Sequence, residues 1–287
     1  MYKVLVIGSN GYIGNNLCKF FLNKNVGFIP VDINADRPLD YLDKEVLDEI
    51  PNVDACVFLA AVPGIQQCNE NPDLVISENV LKPLEFFNHL KKYNVYTIFA
   101  SSQAAKNPSS SLYAYSKRIL EQNLNYKYAS VLRFSNVFGG INYQKKTSII
   151  ANYLKTLKEE HTLYINGNGE QCRDFIHVSR ICDIIYNLLH KFEGRQMMDV
   201  CKGFPLDVGS GKQYSINEIT KAFVNNDHSI KIKYNENGFV GINKPNDVNI
   251  NWYNNFFMNL DKKYDIDIID WINYKFKTGQ IQLKGLC

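Results

Sequence analysis

The sequence predicts a doubly wound α/β fold of the Rossmann type, a parallel sheet wrapped by helices, with a smaller interleaved α/β domain capping it. Three observations carry that expectation. Short apolar runs alternate with amphipathic stretches through the first half. A glycine-rich turn, Gly8-Ser9-Asn10-Gly11-Tyr12-Ile13-Gly14, follows the first run and opens the first helical pattern. Asp32 closes the second run. Parallel strands need long crossovers, helices supply them, and handedness makes each one right-handed.

Residues 4–7 read as a buried strand, after which Ile13, Leu17, Phe20 and Phe21 recur at helical spacing up to Asn25. Residues 28–32 form a second strand, although Pro30 counts against it. Residues 43–50 are helical and 56–59 a third strand. Pro72 opens a long helix to about Tyr93, with a kink at Pro83. Residues 97–99, 113–125 and 129–133 follow as strand, helix and strand. The second half is less regular: a helix near 146–159, a strand at 163–165, a turn at 166–169, and helices at 179–191 and 215–224. The Asn-rich stretch 234–260 reads as loop with short elements. No linker separates the halves. The expected dinucleotide domain is therefore 1–137 plus about 173–210, and the expected cap is about 138–172 plus 211–287.

Composition narrows the function classes. With 287 residues and 45% hydrophobic content the chain can bury a sizeable core, which excludes a disordered chain. The balance of 32 basic to 29 acidic residues leaves no footprint for nucleic acid. The longest apolar run, 55–62, is far short of the roughly 20 residues of a membrane span. The apolar start at 4–8 is too short for a signal-peptide core. Seven cysteines, an odd number without a Cys-x-x-Cys pair, read as reduced thiols of a cytoplasmic protein, and no metal site is expected.

The glycine turn lets the backbone approach a pyrophosphate, and the following helix offers free N–H groups and a partial positive charge. A carboxylate at Asp32 can accept both hydroxyls of an adenosine ribose and repels a 2′-phosphate, so NAD is favoured over NADP. The plain alternative is a solvated strand end, and nearby Arg37 could soften the discrimination. Tyr113 and Lys117 stand four apart, on one helical face, whereas Tyr115 points elsewhere. A phenol with a pKa near 10 is a poor base at neutral pH. A neighbouring ammonium and a cationic nicotinamide would favour its phenolate. An isolated Tyr-x-x-x-Lys is commonly a surface pair. Here Ser101-Ser102 precedes it, at the carboxyl end of a parallel strand, where such sheets bind ligands.

With these pieces go Leu59-Ala60-Ala61, Asn79-Val80, the stretches 132–139 and 173–178, and Val208-Gly209-Ser210-Gly211. Together they cover nearly the whole chain, which resembles an extended short-chain dehydrogenase/reductase of the sugar-nucleotide epimerase/dehydratase type. The resemblance implies an NAD site formed by Gly8, Asn10, Gly11, Tyr12, Ile13, Gly14, Asp32, Leu59, Ala60, Ala61 and Asn79, with Asp40 and Tyr41 near adenine. It implies that Tyr113 is the acid/base, that Lys117 holds the nicotinamide ribose, and that Ser102, with Ser101 as fallback, bonds the reacting oxygen. It places Asn136, Arg173 and Lys244 on the diphosphate of a nucleoside-diphosphate sugar, and makes His177 structural. The long helices would pair with a twin subunit as a four-helix bundle, so a homodimer is expected.

Departures from the family pattern shape the chemistry. Family dehydratases carry Asp-Glu directly after the catalytic hydroxyl, where this chain has Gln103 and Ala104, so loss of a C6 hydroxyl is not expected. The decarboxylases' Glu is also missing. What remains is chemistry at one carbinol or ketone, most simply C4. One expectation is an NAD-dependent epimerase working through a 4-keto sugar. Another is an NAD(P)H-dependent C4-reductase, toward which the short stretch between Ser102 and Tyr113 points. The third is a silent NAD- or sugar-nucleotide-binding protein on the same fold.

Overall fold

The computed structural model of the protein describes residues 3–124, 127–140, 148–193, 204–236, 238, 248–252 and 260–281. The expected Lys244 contact lies outside these residues. The first half runs β1 (Lys3–Ile7), α1 (Tyr12–Asn23), β2 (Gly27–Val31), α2 (Lys44–Glu49), β3 (Ala55–Phe58), α3 (Ile65–Glu70), α4 (Pro72–Ile76), α5 (Lys82–Lys92), β4 (Tyr96–Ser102), α6 (Leu112–Asn123) and β5 (Ala129–Phe134). Then follow β6 (Asn136–Phe138), α7 (Ile149–Glu160), β7 (Thr162–Asn166), β8 (Cys172–His177), α8 (Val178–Glu193), β9 (Leu206–Val208), β10 (Gln213–Ser215), α9 (Ile216–Asn226), β11 (Lys231–Asn235) and α10 (Ile268–Lys277).

Six parallel strands form the central sheet in the order β2-β1-β3-β4-β5-β9. The chain leaves β1 for β2 on one side and returns to β3 on the other. That reversal opens a crevice at the carboxyl ends of β1 and β3. Successive strand residues point to opposite faces, so each strand feeds two cores. Val4, Val6, Val57, Ile98 and Leu132 pack with Leu17 and Phe21 of α1 and Ile181 and Ile185 of α8. Leu5, Ile7, Phe58, Phe99 and Val131 pack with Val46 of α2, Phe86 and Leu90 of α5 and Leu120 of α6. Pro30 fits because β2 is the sheet's edge, paired only with β1, so its missing N–H costs no central ladder bond.

The long helix expected at 72–93 is instead α4, a π-helical turn over Ser77–Leu81, and α5. Pro83 has no N–H to continue the ladder, and the helix widens in the turn before it. α3 and the short strands β6, β8, β9, β10 and β11 went unexpected, as did α10. Strands of three residues are too short to show a period. Their pairing depends on distant partners: β6 lies parallel to β8 and β10 antiparallel to it.

A third core, with Phe138, Tyr153, Leu157, Ile165, Phe223 and Trp271, joins α7, β7, α9 and α10 above the carboxyl end of the sheet strands β5 and β9. The Asp174 carboxylate fastens this layer. It accepts from Ser135 Oγ at 2.6 Å, Ser210 N at 2.8 Å, Gly211 N at 2.7 Å and Ser210 Oγ at 3.2 Å. Asp174 is buried, so removing it strands those donors. Asp174→Ala is expected to cost about 3 kcal/mol in urea denaturation. A loss under about 0.5 kcal/mol, the range of an ordinary surface change, would show that the clamp is idle.

Candidate active site

The crevice begins at the glycine turn. Gly8 leaves β1 at φ +82°, and its N–H donates to Val31 O at 2.8 Å. A Cβ on Gly8 would lie 2.7 Å from Ala60 N, so the loop after β3 rides directly on this glycine. A Cβ on Gly14 would lie 2.1 Å from Gly8 O. Only bare backbone closes this cradle. Gly11 caps α1 without a side chain, leaving the helix's first N–H groups to a ligand. The donor set fits a pyrophosphate. The side chains of Tyr12 and Ile13 are engaged elsewhere: the Tyr12 hydroxyl donates to Gly139 O at 2.7 Å, and Ile13 packs on the core.

Asp32 is more than a solvated strand end. Its Oδ2 accepts from Asn10 N at 2.9 Å and its Oδ1 from Asn34 N at 2.8 Å, and Asn10 Nδ2 donates to Asn34 O at 2.5 Å. Each carboxylate oxygen keeps a further lone pair for a ribose hydroxyl. Arg37 is engaged by Glu45 at 2.7 Å. Leu59, Ala60 and Ala61 form the facing wall, and Leu59 N–H donates to Ile7 O at 2.9 Å.

Two of the expected cofactor residues have side chains engaged within the protein. The Asn79 amide is buried and spent on Val62, accepting from its N–H at 2.7 Å and donating to its carbonyl at 3.0 Å. Asn79 therefore shapes the wall from behind. The Tyr41 ring is a core side chain, edge-on to Phe58 and Phe86 with centroids 5.2 Å away in each case. What Tyr41 can offer a base is main chain. Asp40 accepts from Leu42 N at 2.9 Å and meets Lys82 Nζ at 3.2 Å.

Ser111 caps α6 by accepting from Ala114 N at 3.1 Å, which puts Tyr113 in the first helical turn. The Ser102 side chain lies close enough to the Tyr113 hydroxyl to pull its pKa down. Strand alternation decides between the two serines. Ser101 turns toward α6 and donates to Glu121 at 2.6 Å, while Ser102 at the strand's end meets Tyr113. Lys117 is buried, with Nζ donating to Ala100 O at 2.9 Å and lying 5.0 Å from the Phe99 ring centroid. Tyr115 is exposed. The expected lowering of the phenol by Lys117 does not prevail in the protein alone. Burial pushes Tyr113 up to about 12, against a smaller downward pull from Ser102. At neutral pH the phenol carries its proton. Cys68, which the sequence left unassigned, is buried near both groups, and its thiol adds to the upward push on Tyr113.

On the cap side, Asn136 is exposed on β6, its Nδ2 donating to Asp174 O at 3.1 Å. Arg173 projects from the adjacent β8 and donates through Nη1 to Cys172 O at 2.7 Å. His177 is structural. Its Nδ1 pairs with Ser179 Oγ at 2.7 Å, and burial pulls it down to about 4, so it is neutral near pH 7. Among the described residues no three His, Cys, Asp or Glu side chains could together hold a metal ion, and no helix is long and apolar enough to cross a membrane. Gly14→Ala is expected to weaken NADH binding at least about tenfold and to destabilise the fold by about 1–3 kcal/mol. Unchanged affinity in a fluorescence titration would mean that the cradle holds no pyrophosphate.

Comparison with known proteins agrees with this geometry. The family model described as "NAD dependent epimerase/dehydratase family" matches residues 4–201. GDP-6-deoxy-D-talose 4-dehydrogenase of Aggregatibacter actinomycetemcomitans is 26% identical over 262 residues, covering 82% of this chain and 83% of the relative. UDP-glucose 4-epimerase of Mycoplasma pneumoniae is 26% identical over 235 residues, covering 63% of this chain and 69% of the relative. The solved structure of UDP-N-acetylglucosamine 4-epimerase from Methanobrevibacter ruminantium, in complex with UDP-N-acetylmuramic acid, shares the fold at a TM-score of 0.79 and 20% identity, covering 96% of this chain and 99% of that one. With a strand–glycine turn–helix cradle, an aspartate directly after the second strand and a family match across more than half its length, the chain belongs to the NAD-dependent epimerase/dehydratase family of enzymes.

Proposed function

We propose that the protein is a nucleotide-sugar 4-epimerase working through a 4-keto sugar. The observation that carries this reading is the buried Lys117, which α6 carries with Tyr113 against Ser102 at the carboxyl end of β4. NAD, when bound, supplies the acceptor and donor of hydride for one sugar carbon. Tyr113 Oη takes the proton of the C4 hydroxyl and later returns it, while Ser102 Oγ holds the same oxygen. Lys117 holds the nicotinamide ribose. Its charge and the cofactor's bring the phenol down from its raised value toward the working range. Asn136 and Arg173 anchor the diphosphate, leaving the sugar to turn over between the two transfers.

The residue after Ser102 argues against dehydration. Gln103 is buried, and its Nε2 donates to Arg133 O at 2.8 Å. A carboxylate there would set acceptor against acceptor. One reading stands beside epimerisation, a one-way C4-reductase in which Tyr113 delivers the proton. The similarity to a 4-dehydrogenase of a 6-deoxy sugar favours it. A silent binding protein is the third reading, and the assembled triad speaks against it.

A panel of UDP-, GDP- and dTDP-hexoses and their 4-keto-6-deoxy forms separates these readings. Epimerisation gives a new sugar with no net change in nicotinamide absorbance. Reduction consumes NAD(P)H in step with product. Tyr113→Phe is expected to cut kcat by about 10²–10⁴ with NADH affinity kept. Wild-type turnover in that variant would remove the acid/base role.

We further propose a homodimer through α4, α5 and α6. Leu74, Leu81 and Tyr115 stand 45%, 60% and 52% exposed on these helices and the π-helical turn between them. That much uncovered apolar surface in one region fits a partner subunit. Sedimentation at micromolar concentration is expected to give twice the chain mass. Leu81→Glu is expected to give the monomer, and a wild-type monomer would overturn the assignment.

A further inference from the structure

One buried charge cluster has no part in the chemistry above. Glu121 lies on α6 one turn past Lys117, and Arg133 lies on β5; they are 1% and 8% exposed. Glu121 Oε1 accepts from Ser101 Oγ at 2.6 Å and from Arg133 Nε at 2.8 Å. Its Oε2 accepts from Arg133 Nη2 at 2.6 Å and from Arg118 Nη1 at 3.2 Å. Ser101 and Arg133 are register partners on neighbouring strands, so both reach the same carboxylate.

A single side chain thus joins α6, β4 and β5. α6 carries Tyr113 and Lys117, and Ser101 immediately precedes Ser102. Lys117 also ties α6 to β4 through Ala100 O at 2.9 Å, whereas the contacts through Leu120 and Ala114 are apolar and lack direction. A two-bond guanidinium–carboxylate fork fixes orientation as well as distance. Stability does not explain a pair buried this deeply, because apolar residues of similar volume in such places are often neutral or stabilising.

We propose that Glu121 is a positioning residue that holds α6 in register on β4, setting Tyr113 and Lys117 against Ser102. The proposal rests on the reading of Tyr113 and Lys117 given above. Slippage of α6 would move both groups together relative to Ser102, and displacements near 1 Å can cost about a hundredfold in rate.

The test compares wild type with Ser101→Ala, Glu121→Asp and the double variant Glu121→Leu/Arg133→Met. Ser101→Ala removes one bond. Glu121→Asp keeps the charge and shortens the reach. The double variant replaces the ion pair with apolar side chains and leaves no buried charge unpaired. Thermal midpoint, NADH affinity by fluorescence, and kcat and KM on the panel sugar turned over by wild type are measured for each. The double variant is expected to keep its thermal midpoint. Its kcat should fall about tenfold or more with KM within about twofold, and NADH should bind several-fold more weakly. Ser101→Ala, the variant least disturbing to folding, should show the same pattern at about threefold in kcat. Wild-type kcat and NADH affinity in Ser101→Ala and in the folded double variant would overturn the proposal and leave the cluster a structural feature. Should Tyr113→Phe prove fully active, the catalytic reading fails by that result, and the NADH arm still judges the tether through Lys117.

Discussion

The seam between the amino end of α6 and the carboxyl end of β4 is the contact on which the site depends. Across it the buried Lys117 ammonium meets the Ala100 carbonyl, and the Tyr113 phenol meets Ser102. An ammonium taken out of water is costly unless donors and acceptors match. Here one main-chain carbonyl and the face of Phe99 receive it. The same low-polarity surroundings that make the bond strong also hold the Tyr113 phenol protonated.

Much of the rest of the molecule keeps that seam in place. The sheet's topology puts the ends of β1, β3 and β4 side by side, so a dinucleotide lying across the reversal point reaches from the glycine cradle to the phenol. The wall above the cradle is fixed from behind by Asn79, which the π-helical turn before Pro83 carries. Asp174 fixes the cap by gathering the turn after β9.

The side chains next to Ser102 bear on the proposed chemistry at a single carbon. The Gln103 amide is bound to a main-chain carbonyl, and Ala104 has no polar group, so no second acid enters beside the reacting oxygen. Epimerase and reductase differ in whether hydride returns to the same sugar, and both use the same protein groups. The division of the relatives between 4-epimerases and a 4-dehydrogenase mirrors that shared machinery.

Local pattern by itself determined the fold class, the glycine cradle, Asp32 and the Tyr113–Lys117 pair, because each rests on periodicity or on residues close in the chain. Tertiary structure decided what depends on distant partners. It chose Ser102 over Ser101, since only the strand's alternation against α6 turns one hydroxyl toward Glu121 and the other toward Tyr113. It engaged the Tyr41 ring and the Asn79 amide with Phe58, Phe86 and Val62, which lie far along the chain. It set how far burial raises the Tyr113 phenol in the protein alone, because burial is a property of everything packed around a group and no spacing in the sequence reports it.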